Sequence, residues 1–296
     1  MPELARRLAS PSRRLTLAAL KDEWFTAKII IRIPGCAMLA HDVRLLRRIR
    51  GGIGNVLLES ASPEAVAGNP CRWNPPCGLD VFFREQGRFG PHGIPKPYVL
   101  AADRSGQDLV VTMTLFGFAA DWSSVAAHAF VTTLQQRIDW RGQRTDVFIP
   151  RVALSDVTVR SHQGVKAGLP SDRAELMFLT PMNAERDNPI ERPGTLFARL
   201  ARRIEGLALW HDAELDADWQ HLGACWNSVE YDVGFLQGDH AARRSGRVQR
   251  SFVVPTVRGT LAMDGLTAEL WSLLTIGTET HVGKGATEGF GRYIIT

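Results

Sequence analysis

Apolar residues recur along this chain with periods of two and of about 3.6, the signatures of strand and helix, and the two rhythms alternate in the same order in each half. In the first half, TAKIIIRIP (Thr26 to Pro34) is a β-branched run that predicts a strand. HDVRLLRRIRGGIGNVLLE follows, with Val43, Leu46 and Ile49 on one face and arginines opposite, and predicts a basic amphipathic helix ending near Gly51. Residues 60–96, dense in proline and glycine, read as loop. YVLAA (Tyr98 to Ala102) and DLVVTMTLFG (Asp108 to Gly117) predict two strands with a turn at Ser105-Gly106. DWSSVAAHAFVTTLQQRID predicts a helix, and DVFIP (Asp146 to Pro150) a fourth strand.

The second half repeats the order with more interruption. ELMFL (Glu175 to Leu179) predicts a strand, and TLFARLARRIEGLALW a helix with Leu196, Leu200, Ile204 and Leu207 on one face. Residues 211–240 read as an insertion of undefined shape in which DADWQHLGACW suits a helix. SFVV (Ser251 to Val254) and VRGTLAM (Val257 to Met263) predict two strands with little between them, TAELWSLLTIG a helix, and Arg292 to Ile295 a last strand. Each half is thus β-α-β-β-α-β, the split βαβ of a ferredoxin-like domain. The expected fold is α+β, with a basic arm at 1–22 and two tandem ferredoxin-like (RRM-like) domains at 23–150 and 151–296. The repeat is one of element order only, because the halves do not resemble each other in sequence.

Composition narrows the partner. The net charge is +4, and the cations are mostly arginine, with lysine only at Lys21, Lys28, Lys96, Lys166 and Lys284. Arginine forks onto phosphates and stacks on bases, which favours a polyanion; a GC-rich genome also raises arginine. Cys36, Cys71, Cys77 and Cys225 lack paired zinc spacing and read as reduced thiols. No apolar run approaches the roughly 20 residues of a membrane span, and the first residues lack the apolar core of a secretion signal, so a cytoplasmic protein is expected.

The segment HVGKGATEGFGRYIIT (His281 to Thr296) excludes two nucleotide motifs. Gly277 is too far from Gly283 for a phosphate-binding P-loop, and Lys284 is followed by Gly285 instead of Ser or Thr. Gly283-x-Gly285 is followed by Ala286, Thr287 and Glu288 before Gly289, which breaks the dinucleotide fingerprint, and too few residues follow for a βαβ unit. What remains is a glycine-rich loop at 283–291 whose bare backbone suits either an approaching nucleic-acid backbone or a turn needing positive φ.

An ARRSGRVQRS segment (Ala242 to Ser251), a strand containing VRG, a helix ending in LL-x-x-G and then HVGKGATEGFGRY follow one another here. This succession resembles the C-terminal domain of the CRISPR precursor-RNA processing endoribonucleases of the RAMP superfamily. That family's glycine motif, G-x-G-x-x-x-G-x-G, is matched by Gly283, Gly285, Gly289 and Gly291. FLTPMNA (Phe178 to Ala184), RRIRGGIGNVL (Arg47 to Leu57), the Cys71 loop and TLFGFA (Thr114 to Ala119) extend the resemblance over most of the chain, less specifically. It implies a basic cleft between two ferredoxin-like folds that binds a CRISPR repeat hairpin and cuts at its 3′ base. It also implies no metal, no cofactor and attack by the 2′-hydroxyl on the adjacent phosphate, leaving a 2′,3′-cyclic phosphate and a 5′-hydroxyl.

Such chemistry needs a base, an acid and cations for the phosphorane. His41 is the first candidate base: it opens the helix carrying Arg44, Arg47 and Arg48, where the family often places its histidine. Neighbouring arginines and a helix N-terminus both lower an imidazole pKa, which favours a base. The alternative is arginine-assisted cleavage by the cluster Arg243, Arg244, Arg247 and Arg250, with Arg247 at its centre and His240 as acid. Lys284 is a candidate phosphate contact between glycines. His281 is expected to shape the loop, while His92, His128, His162, His211 and His221 and the tryptophans Trp73, Trp140, Trp210, Trp219 and Trp226 read as ordinary core or surface residues. Two functions follow: an endoribonuclease that matures CRISPR RNA and stays on its product among effector-complex subunits, or a non-catalytic RNA-binding subunit of such a complex.

Overall fold

In the computed structural model, residues 3–138, 140, 157–165, 168–185, 188–244 and 251–296 are described. The arginine-rich start of the chain does not project as an arm. Helix α1 (Glu3–Ala9) buries Leu4 and Leu8, strand β1 (Arg13–Thr16) pairs in parallel with residues 213–216 of the second half, and helix α2 (Leu17–Glu23) is capped by the Thr16 hydroxyl, which accepts from Ala19 N at 3.3 Å.

Strand β2 (Phe25–Ile33) buries Ile29, Ile31 and Ile33 completely, the alternation required of a strand with one covered face. Helix α3 (Val43–Glu59) follows and continues well past the end expected near Gly51. Two of its three glycines are packing positions: a Cβ at Gly52 would overlap Thr133, and one at Gly54 would meet Phe83 at 2.9 Å, whereas Gly51 is exposed with nothing near its Cβ position. Contact with neighbouring elements thus offsets the ~1 kcal/mol that glycine costs a helix. The loop region 60–96 holds short helices α4 (Pro63–Val66) and α5 (Gly78–Phe82) and a small hairpin, β3 (Arg88–Phe89) with β4 (His92–Gly93). Strands β5 (Tyr98–Ser105) and β6 (Asp108–Phe116) precede helix α6 (Ser123–Gln136). The strand expected at Asp146–Pro150 lies outside the described residues. Strand β7 (Val157–Gln163), beyond residue 150, occupies the free edge of β2, giving the order β5-β6-β2-β7 with antiparallel neighbours.

The second sheet repeats this order. Strand β8 (Arg173–Asn183) leads to helix α7 (Thr195–Ala208). The expected insertion resolves into β9 (Ala213–Asp216), the partner of β1, then helix α8 (Trp219–Ser228), β10 (Glu230–Asp232) and the start of β11 (Leu236–Arg244). The segments SFVV and VRGTLAM are one continuous strand, β12 (Ser251–Asp264), bent by a register shift at Val257/Gly259. Gly259 takes φ 108° there, and a Cβ on it would overlap the Phe235 carbonyl. The second strand of this domain is therefore β11, antiparallel to β12. Helix α9 (Ala268–Thr280) and strand β13 (Tyr293–Ile295) complete the order β13-β8-β12, with β10 and β11 along the other edge of β12. Both halves are ferredoxin-like, and they share one apolar core that contains Leu46 and Leu100 from the first and Met182 and Leu200 from the second.

Two histidines are buried in this core. His211 stacks on Trp24 at 4.2 Å, with its ring nitrogens 3.0 Å from Leu207 O and 3.1 Å from Phe25 O. Burial pushes its pKa down to about 4 against the pull of those carbonyls. His281, at φ 58°, is held well below the ordinary value by burial and by Arg292 and Arg203. Both are neutral in the fold at pH 7, whereas the unfolded chain protonates them near pH 6.5. The unfolded state therefore binds more protons below that pH, so their stabilisation is full above about 6.5 and is lost as pH falls towards 4. The free energy of unfolding should decline between pH 7 and 5, by up to about 1.4 kcal/mol per pH unit for each histidine, and more shallowly in His211→Gln. Parallel pH profiles for variant and parent would remove His211 from this account.

Candidate active site

The residue before the α3 cap has an unusual backbone. His41 takes φ 62°, a left-handed conformation uncommon for a side chain of this size, and its N–H donates to Ala102 O of β5 at 2.8 Å. Asp42 caps α3, its carboxylate accepting from Arg44 N at 2.8 Å. This turn holds the His41 imidazole within electrostatic reach of Asp103 on β5 and of Arg292, just before β13. Those two are joined across the halves, Arg292 Nη1 to Asp103 Oδ1 at 2.6 Å. Nδ1 of His41 is buried and has no hydrogen-bond partner among the described residues. Burial lowers its pKa, Asp103 raises it and Arg292 lowers it, with a net fall. The ring is therefore neutral near pH 7 and able to accept a proton. Sequence reading missed Asp103 and Arg292. Arg292 follows the glycine motif directly and was within its reach; Asp103 lies inside β5, just past the apolar run Tyr98 to Ala102, and carries no local signal.

The glycine loop seats the second half on the first. Thr180 of β8 donates its hydroxyl to Gly289 O at 2.7 Å and accepts from Arg292 N at 3.0 Å, and Gly291 N donates to Pro181 O at 2.9 Å. Gly283, Gly285, Gly289 and Gly291 all have positive φ. At two of them space also forbids a side chain: a Cβ on Gly289 would overlap Leu46 of α3 and lie 3.2 Å from Leu100 O, and one on Gly291 would overlap the Val282 carbonyl. The close approach that glycine permits is thus made, at these two positions, to the protein itself. Arg47 of α3 clasps Glu288 at 3.1 Å, both largely buried, and reinforces the same seam. His281, which immediately precedes the loop, is buried.

The other predicted residues are distributed unevenly. Arg44 and Arg48 are exposed on α3, Arg44 with its Nε 3.4 Å from Asp42. Lys284 is half-exposed and pairs with Glu185 at 2.7 Å. A cavity of about 110 Å³ is lined by Arg47, Asn183, Ala241, Lys284, Glu288 and Phe290 among others, so β11 reaches the glycine loop. His240 is exposed on β11 next to Ala241; successive strand side chains face opposite ways, so His240 turns away from that cavity. Arg243 and Arg244 end β11, but their side chains lie outside the described residues, as do Arg247 and Arg250 entirely. His41, Arg47, Lys284 and the four glycines therefore gather around one seam, formed by the start of α3, β5, the end of β8 and the glycine loop. No group of three or more His, Cys, Asp or Glu side chains that could hold a metal occurs among the described residues. Among them, too, no helix is long and apolar enough to cross a membrane.

Residues 176–293 match the model of a family described as CRISPR-associated endoribonuclease Cas6, in agreement with the resemblance read from the C-terminal residues. No curated protein matches the chain. Among solved structures, a Cas6 product complex is similar at 18% identity over 92% of this chain and 99% of that one, with a TM-score of 0.52. A Cas6 substrate-mimic complex is similar at 15% identity over the same shares, with a TM-score of 0.51. Cas6 from Thermus thermophilus is similar at 12% identity, again over 92% and 99%, with a TM-score of 0.46. At these identities the likeness of the two complexes concerns the fold alone, and it agrees with the two β-α-β-β-α-β sheets.

Proposed function

Taking the Cas6 match as premise, we propose that this protein is an endoribonuclease that cleaves CRISPR precursor RNA at a repeat hairpin without a metal ion. The observation that carries the reading is the neutral His41 imidazole, held beside the Asp103–Arg292 pair at the seam where the glycine loop meets α3. In this reading His41 takes the proton of a ribose 2′-hydroxyl, a bond forms from that oxygen to the adjacent phosphorus, and the bond to the 5′-oxygen breaks as that oxygen takes a proton from solvent water. The products are a 2′,3′-cyclic phosphate and a 5′-hydroxyl. Arg44 and Arg48 on α3, with Lys284, supply positive charge for the phosphate backbone, and the arginine segment 243–250 adds more. After cutting, the protein stays on the mature RNA and presents it to effector subunits.

The test is direct. Purified protein incubated with a labelled repeat transcript in EDTA should yield two fragments, the upstream one ending in a cyclic phosphate. A transcript left intact at every pH from 5 to 9, although bound, would replace this reading with that of a non-catalytic RNA-binding subunit.

A further inference from the structure

On the far side of Lys284 lies a larger cavity of about 370 Å³, lined by Gly93 and Pro95 of the first half and by Asn183, Glu185, Arg199, Arg202, Arg203, Gly283 and Lys284 of the second. Arg199, Arg202 and Arg203 are spaced i, i+3 and i+4, which places them on one face of α7. Four cations and one carboxylate line this space. Its volume falls in the range of small-ligand sites, about 300–1,000 Å³, enough for a nucleotide unit.

Two of the arginines are set by backbone carbonyls. Arg203 Nε donates to Thr280 O at 2.7 Å, and Arg199 Nη1 donates to Asn183 O at 2.7 Å. These bonds orient the guanidinium groups, so that binding an anion costs less side-chain freedom. Arg203 Nη2 is buried without an acceptor among the described residues. A buried donor left unpaired is costly, and a ligand oxygen would satisfy it. Burial also lowers the Arg203 pKa to about 10, so the group still carries its charge at neutral pH. Glu185, the one carboxylate of the lining, is engaged with Lys284. Asn183 and Lys284 line both this cavity and the smaller one beside Arg47 and β11, so the two spaces share a wall at the glycine loop.

We propose that the α7 cavity is a second phosphate-binding site, in which Arg202 and Arg203 hold a phosphodiester group of the single-stranded RNA that continues from the hairpin across Lys284. The inference rests on the endoribonuclease reading for the identity of the RNA, but not on cleavage. RNA is favoured over an acidic peptide because the same wall continues into the basic seam at α3. The site assigns affinity for the flanking strand to α7, separate from recognition of the hairpin.

The test uses full-length protein and repeat RNAs made uncleavable by a 2′-deoxy substitution at the cut. One ends at the hairpin and the other carries a single-stranded extension on each side. For the parent protein the extended RNA should bind at least about tenfold more tightly, the scale of one charge-assisted hydrogen bond. Arg202→Glu, an exposed position, should reduce that ratio to near one with hairpin affinity within about threefold of the parent. Arg203→Lys, which keeps the charge but removes Nη2, should do so in part. The salt dependence of the extended RNA should flatten by about 0.7 for each phosphate that the variant no longer neutralises. Equal ratios in parent and Arg202→Glu, or a parent ratio near one, would overturn the site and leave the cavity to an acidic protein segment. Failure to bind either RNA would overturn the endoribonuclease reading instead, and this inference with it.

Discussion

Replacing His41 with alanine is expected to slow cleavage of a repeat hairpin at least ~100-fold while hairpin affinity is retained, the size of effect that loss of a positioned acid-base group produces. The residue reaches its position through a left-handed turn pinned to β5, and its charge state is set by burial, Asp103 and Arg292 together. The rate of the parent enzyme should therefore fall on the acid side with a midpoint below the ordinary imidazole value of about 6.5, because the protonated ring can no longer accept a proton. Asp103→Asn removes the neighbour that favours the protonated form and leaves Arg292 beside the ring. Its acid limb should move to still lower pH. Single-turnover rates across pH 4.5 to 8 measure both effects. A His41→Ala rate equal to the parent's would place the base elsewhere, and an acid limb unmoved by Asp103→Asn would separate Asp103 from the imidazole.

Gly289→Ala is expected to destabilise the folded chain by about 2–5 kcal/mol, the sum of roughly 1–2 for a left-handed residue with a Cβ and roughly 1–3 for forcing a methyl into filled space. The methyl would overlap Leu46 of α3 and press on the Leu100 carbonyl, so the seam between the halves has to open. That amounts to a fall in thermal midpoint of roughly 5–15 °C for a protein of this size. Gly238→Ala is the matched comparison: exposed on β11, with nothing near its Cβ position, it should stay within ~0.5 kcal/mol of the parent. Equal melting of the two variants would show that the glycine loop does not seat the halves. RNA affinity should fall in Gly289→Ala only as the folded fraction falls, if this glycine serves packing and not contact with the strand.

Much of the secondary structure was legible because an element with one buried face repeats its apolar residues at its own period. Leu196, Leu200, Ile204 and Leu207 marked α7 in this way, while β2 was marked by its β-branched run, of which Ile29, Ile31 and Ile33 are fully buried. The reading failed where neighbours outweighed local preference. Glycine at 51, 52 and 54 reads as a helix end, yet α3 runs through because Gly52 and Gly54 lie against Thr133 and Phe83. Strand β11 was hidden for the opposite reason: in LQGDHAARR, Leu236 is buried and Gln237 to His240 are exposed, so no alternation marks it, and pairing with β12 makes it a strand. The break seen between SFVV and VRGTLAM was a bend within β12 at Gly259.

The candidate site divides along the same line. The chain's own order of residues sufficed for the two β-α-β-β-α-β units, the arginine bias and the spacing of four glycines, since each depends on neighbours within a few turns or strands. It also placed His41 at the start of α3. Folding alone brought Asp103 and Arg292 to that histidine, turned Arg47 towards Glu288, and set the arginines of α7 opposite Lys284. The reason is range: apolar periodicity records whether one face of a local element is covered, whereas a pKa or an anion site sums charge and burial over groups that are close in space and far apart in the chain.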